Sequence, residues 1–151
     1  MLDSLFENIS WWRNTLRLQI PNNMFYNLKY LRTLDLSGSD IRSLPDSIEN
    51  LKHLLYLDLN RTKIQKLSDS VCNLYNLETL ELQEYIYLKE LPKATMNLTN
   101  LRHLNLPNNA HFAIMPVGFG KLTNLQTLSA FCVGPEIEHC RIKELKDQVH
   151  L

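Results

Sequence analysis

The sequence predicts an α/β repeat solenoid, an arc with a parallel β-sheet on its concave face and short helical, 3₁₀ or extended returns on its convex face. Two observations carry this expectation. Apolar residues at Leu31, Leu34, Leu36, Ile41, Leu44, Ile48 and Leu51 recur at one constant offset as Leu54, Leu57, Leu59, Ile64, Leu67, Val71 and Leu74. Self-similarity at a fixed period marks stacked structural repeats and outranks any local motif. Each unit also opens with an alternating apolar pair and continues with apolar residues three and four apart, so it holds one strand-like and one helix-like half.

The elements follow in chain order. Residues 1–27 form an N-terminal capping or degenerate repeat segment. There Leu2, Leu5, Phe6, Ile9, Trp11 and Trp12 suit an amphipathic capping helix or the remnant of an earlier repeat. Leu16, Leu18 and Ile20 then alternate, and Met24, Phe25 and Leu28 lead into the first regular unit. Leucine-rich units of about 23–24 residues each, a length within the range of that repeat class, span 28–147. After the two matched units, one opens at Leu77, Leu80 and Leu82, with an extra residue near Tyr85–Tyr87 before Leu88, Leu91 and Leu98. The next opens at Leu101, Leu104 and Leu106, with Phe112, Met115, Phe119 and Leu122 in its later slots. Another opens at Leu125, Leu128 and Ala130, and residues 148–151 start an incomplete further repeat. A solenoid needs polar caps over its terminal apolar rows. Ile142, Leu145, Gln148 and Leu151 instead read as a return running onward, so the expectation is a piece of a longer array or a truncated gene product.

Within a unit, the last two leucines of LxxLxL point to one face of a strand and the residues between them point to the other. Parallel strands stack about 4.8 Å apart and need a crossover to return, which the IxxLPxxIxxL half supplies. Pro45, Pro92 and Pro116 occupy one position in that half, with Ser68 replacing proline in one unit; a fixed φ suits proline to the start of a turn. Asn76, Asn100 and Asn124 precede the first strand leucine, where an asparagine amide is expected to bond the turning backbone.

Residues facing away from the core on the strands are the candidate binding residues. One row runs Asp35, Asp58, Glu81, Asn105 and Ser129; a second runs Thr33, Tyr56, Thr79, His103 and Thr127; a flanking row runs Arg32, Leu55, Glu78, Arg102 and Gln126. The Asp35–Asp58–Glu81 column reads either as a solvated polar face or as an acidic stripe for a basic patch on a partner. Tyr56 and His103 are natural anchors, because exposed aromatic groups often dominate interface energy.

Composition narrows the function classes. Hydrophobic residues make up 44% of the 151, enough to line a continuous core. Lys plus Arg equals Asp plus Glu at 16 each, which leaves no electrostatic footprint for nucleic acid or an anionic membrane. No apolar run approaches the roughly 18 residues of a membrane span, and no charged-then-apolar leader opens the chain. Three cysteines, Cys72, Cys132 and Cys140, form no paired framework, so reduced intracellular thiols are expected. Cys132, His139 and Cys140 lack a fourth ligand at zinc spacing. Asn8, Asn60 and Asn97 head glycosylation tripeptides that matter only in a secreted chain. Gly118-Phe-Gly120 is no phosphate loop, and no nucleophile, base and acid assemble into a recognisable set. Neither enzymatic activity nor a cofactor or metal is expected.

These units resemble leucine-rich repeats. Their text, LRTLDLSGSDIRSLPDSIENL and LLYLDLNRTKIQKLSDSVCNL, resembles the repeats of plant intracellular nucleotide-binding, leucine-rich repeat disease-resistance proteins of the coiled-coil class. Phe131, Val133 and Gly134, followed by Ile142, Glu144 and Leu145, match the Phe-x-Val-Gly and Ile-x-Glu-Leu stretches of that family. The chain departs from it in holding no GxxxxGK[ST] loop, and Gln148 stands where the family has leucine. The resemblance implies a recognition and autoinhibitory arm in innate immunity. Such an arm would pack on a nucleotide-binding module in cis and bind a pathogen effector or a guarded host protein, in the cytoplasm or the nucleus. A stand-alone intracellular signalling scaffold and a degraded gene fragment are the alternatives.

Overall fold

The computed structural model describes residues 8–9, 20–84, 88, 90–107 and 116–129. Its core is a six-stranded parallel sheet in which strand order follows chain order. The strands are β1 (Asn8–Ile9), β2 (Thr33–Asp35), β3 (Tyr56–Asp58), β4 (Thr79–Glu81), β5 (His103–Asn105) and β6 (Thr127–Leu128). β1 pairs with β2 through Asn8 opposite Thr33 and Ile9 opposite Leu34, so a strand in repeat register precedes the first regular unit. The register then runs Leu34, Leu57, Leu80, Leu104 and Leu128, the repeat period written in space.

The fourteen period-matched leucine, isoleucine and valine residues of the two units are buried in one continuous cluster, which Phe25, Leu77, Leu104, Phe119 and Leu125 extend. A single unit exposes one face of this row. Stacking closes it, so each repeat is stabilised mainly by its neighbours.

The returns are 3₁₀ turns: η1 (Met24–Asn27), η2 (Asp46–Asn50), η3 (Asp69–Asn73), η4 (Lys93–Asn97) and η5 (Phe119–Lys121). Short length explains the tighter helix, since runs of this size rarely settle into an α-helical ladder. Pro45, Ser68 and Pro92 are the residues immediately before η2, η3 and η4. Their carbonyls accept from the N–H of Ile48, Val71 and Thr95 at 3.0–3.1 Å. Pro116 holds the same repeat position, but Gly118 in a left-handed conformation (φ 87°) delays the turn to Phe119. Ile48, Val71, Thr95 and Phe119 fill one inward column. Thr95 is polar in an apolar slot and donates its hydroxyl to the Pro92 carbonyl at 2.7 Å, which removes the cost of burying it.

Strand ends share one device. Gly38, Arg61 and Glu84 hold one position in three successive repeats, and all take positive φ, 69°, 57° and 57°. Arginine and glutamate are strained there. They lie side by side on successive turns and form a two-pronged ion pair, at 2.6 and 2.9 Å.

The asparagines preceding the strands bond turning backbone as the sequence suggests, but that of the neighbouring repeat. Each amide donates across to the repeat before it: Asn76 to the Lys52 carbonyl at 2.7 Å, Asn100 to Tyr75 and Asn124 to Thr99 at 2.8 Å. They tie adjacent repeats rather than closing their own turns. A sequence shows which turn a residue enters but not which neighbouring carbonyl the stack brings beside it. The Tyr85–Tyr87 insertion, Phe112, Met115, Ala130 and the 131–151 segment lie outside the described residues, as do all of residues 1–19 except Asn8 and Ile9.

Candidate protein-binding face

Leucine alternation sends Leu34, Leu57, Leu80 and Leu104 into the core, so the residues on either side of them in each strand face out. Strand pairing then aligns them in two columns. Thr33, Tyr56, Thr79, His103 and Thr127 are register partners, as are Asp35, Asp58, Glu81 and Asn105. The flanking residues Arg32, Leu55, Glu78 and Arg102 stand one position before the strands, with Arg32 and Arg102 exposed and Leu55 and Glu78 half-buried. Strand pairing therefore brings the eight strand candidates onto one face, with the four flanking residues stacked at its entry edge. Leu55 is less open than the sequence suggested.

The acidic column is internally bonded. Asp35 accepts from the Ser37 N–H at 2.9 Å, and Asp58 accepts from the Asn60 N–H at 2.8 Å. Both are side-chain turns that close the strand end. Tyr56 donates its hydroxyl to Asp58 at 3.3 Å, and Asn105 donates to Glu81 at 2.8 Å. Further along, the His103 ring and the Thr127 hydroxyl meet at 2.9 Å. Asp58 faces out from the sheet, yet its carboxylate is half-buried and holds two donors.

Three carboxylates on successive strands leave a local excess of negative charge. Partial burial raises the Asp58 carboxyl above its ordinary value, and the charges of Asp35 and Glu81 add to this, against the two bonds that favour its ionised form. The Tyr56 phenol is pushed up to about 12, first by burial and then by the charges of Asp58, Glu81 and Asp35. A cation arriving at this column would relieve the repulsion. Among the described residues no group of three or more His, Cys, Asp or Glu side chains is placed to hold a metal ion, and no helix is long and apolar enough to cross a membrane. Cys132, His139 and Cys140 lie outside the described residues.

The family described as "Leucine-rich repeat region" matches residues 46–151, and "Leucine rich repeat" matches 12–64. The chain belongs to the leucine-rich repeat family. Among solved structures it is similar to a leucine-rich repeat protein of Leptospira interrogans, at 30% identity and a TM-score of 0.63 over 74% of this chain and 28% of that one. It is also similar to the plant peptide hormone receptor RGFR1, solved in complex with RGF2, at 31% identity and a TM-score of 0.60 over 72% of this chain and 18% of that one. A third is the ectodomain of the membrane receptor kinase GASSHO1/SCHENGEN3 of Arabidopsis thaliana, at 29% identity and a TM-score of 0.54 over 71% and 13%. The chain thus spans under a third of each of these structures. No curated protein matches it.

Sequence reasoning missed two features of the leucine-rich repeat surface. The Arg61–Glu84 pair was legible in principle, because Gly38 and the constant repeat offset point to a left-handed position in each repeat. The stacking of Tyr30 on His53, at 5.7 Å between ring centroids, had only one signal: both stand where later repeats have asparagine.

Proposed function

We propose that the chain is a protein-recognition module, the ligand-sensing and autoinhibitory leucine-rich repeat arm of a plant innate immune receptor of the nucleotide-binding class. The carrying observation is the pair of outward columns on one parallel sheet, with Tyr56 and His103 as anchors beside the Asp35–Asp58–Glu81 stripe. A basic segment of the partner fits this stripe by charge. Repeat text and the Phe131–Val133–Gly134 stretch support the plant intracellular class. For switching, the ligand has to favour one state of the receptor over another, since equal affinity for both shifts nothing. In this reading the protein works in the cytoplasm or the nucleus, without catalysis of its own.

A second reading, a segment of a membrane receptor ectodomain, is favoured by the likeness to GASSHO1/SCHENGEN3. Long-read sequencing of the encoding transcript separates them. A frame continuous with an upstream phosphate-loop ATPase module supports the intracellular receptor. A frame carrying a signal peptide and a membrane span overturns it, and an isolated 151-codon frame replaces it with a stand-alone scaffold or a relic.

A further inference from the structure

Tyr30, His53, Asn76, Asn100 and Asn124 form a column along the edge where the chain enters each strand. Its last three members have a structural task, since each asparagine amide satisfies a carbonyl of the repeat before it. His53 does not make that bond. Among the described residues no side-chain bond joins His53 to the Lys29 carbonyl. Instead Tyr30, 77% exposed, and His53 stack on one another with an interplanar angle of 26°. Next to them the Lys52 ammonium lies 5.2 Å from the centre of the Tyr75 ring, which is 51% exposed.

The two residues preceding the strand leucines are Lys29–Tyr30, Lys52–His53, Tyr75–Asn76, Thr99–Asn100 and Thr123–Asn124, with no carboxylate at any of them. Arg32 stands exposed just beyond Tyr30. Ion pairs among the described residues are Arg61–Glu84 and Lys63–Asp40, both after the strands, and neither uses Lys29, Arg32 or Lys52. The carboxylates of the concave columns have their own donors.

We propose that Lys29, Tyr30, Arg32, Lys52, His53 and Tyr75 form a second docking surface, distinct from the concave columns, that takes an acidic segment of a partner protein. Carboxylates of the segment meet Lys29, Arg32 and Lys52, and an apolar or aromatic side chain between them lies across the Tyr30–His53 stack. Charge complementarity selects the acidic class, while aromatic anchors supply the contact energy that exposed ion pairs alone do not.

The test is fluorescence anisotropy with the full chain and a labelled peptide of alternating glutamate and phenylalanine. Controls are a peptide with lysine in place of glutamate, one with serine in place of phenylalanine, and a labelled single-stranded thymidine oligonucleotide. Saturable binding of the first peptide is expected, weakened roughly fivefold or more by Lys29→Gln/Lys52→Gln and by Tyr30→Ser/His53→Ser, and unchanged by Asp35→Asn/Glu81→Gln. All altered side chains are exposed or half-buried, and a thermal melt of each variant confirms the fold. No binding, indifference to Tyr30→Ser/His53→Ser, equal binding of the serine peptide, equal loss in the concave variant, or tighter binding of the oligonucleotide each overturns the proposal.

Discussion

Leu57→Ala is the sharpest probe of the solenoid core. Leu57 is fully buried and lies in register between Leu34 and Leu80. Truncation removes three carbons from the core, which at about 0.8 kcal/mol each costs about 2.4 kcal/mol in transfer alone. The cavity adds to this, and here it collapses poorly. The strands on both sides are pinned by backbone bonds, Leu55 N–H to the Arg32 carbonyl at 2.8 Å and Leu59 N–H to the Glu81 carbonyl at 3.0 Å. A total of about 3–5 kcal/mol is therefore expected. Asp58→Ala, one residue on, removes the acceptor for Asn60 and Tyr56 but also relieves repulsion, so it should cost about 0.5–1.5 kcal/mol. The assay is urea unfolding of both variants followed by far-ultraviolet circular dichroism. Because each repeat leans on its neighbours, the whole transition should shift for Leu57→Ala rather than one part of it. Equal damage by the two substitutions, or a cost below about 1 kcal/mol for Leu57→Ala, would refute the strand register and the neighbour-stabilised core.

Three further outcomes are expected. Gly118→Ala should lose about 1–2 kcal/mol for the left-handed backbone and more than Gly38→Ala, because a Cβ at Gly118 would meet the Met96 sulfur at 3.1 Å while Gly38 has open space; paired thermal melts compare them. Tyr56 has a folded pKa of about 12 against an ordinary value of 10.0, so its contribution to stability is whole below pH 10 and fades as pH rises from 10 towards 12. The urea midpoint of the native chain should fall faster over that window than that of Tyr56→Phe. Cys72 is buried against Thr95, and burial pushes its thiol up to about 11; at about pH 8 it should resist iodoacetamide until the chain unfolds, as peptide mapping would show.

Much of the fold was legible because its physics is local and repeated. A strand alternation and a return with apolar residues three and four apart occur side by side in every unit, and their constant period says that the units stack. The rows of Thr33, Tyr56, Thr79 and His103 and of Asp35, Asp58, Glu81 and Asn105 followed by adding that period, and strand pairing places them together. Less legible was what the rows do. Asp58 reads as a solvent residue, yet its carboxylate closes a turn on Asn60 and holds the Tyr56 hydroxyl. Which donor a carboxylate finds depends on turn geometry, which the repeat text does not encode.

The sequence by itself determined the architecture: the apolar offsets dictate which side chains must be buried and, through them, the order and direction of every regular strand. Only the tertiary structure decided the partners of the polar groups between repeats. Asn76, Asn100 and Asn124 reach carbonyls 24 or 25 residues back. Arg61 meets Glu84 from strained left-handed turns, and Tyr30 lies on His53 in the place of the same asparagine bond. Burial of an apolar row is non-directional, so a pattern of residue types is enough to specify it. Hydrogen bonds, ion pairs and ring stacks depend on distance and angle, and those exist only once the repeats have stacked.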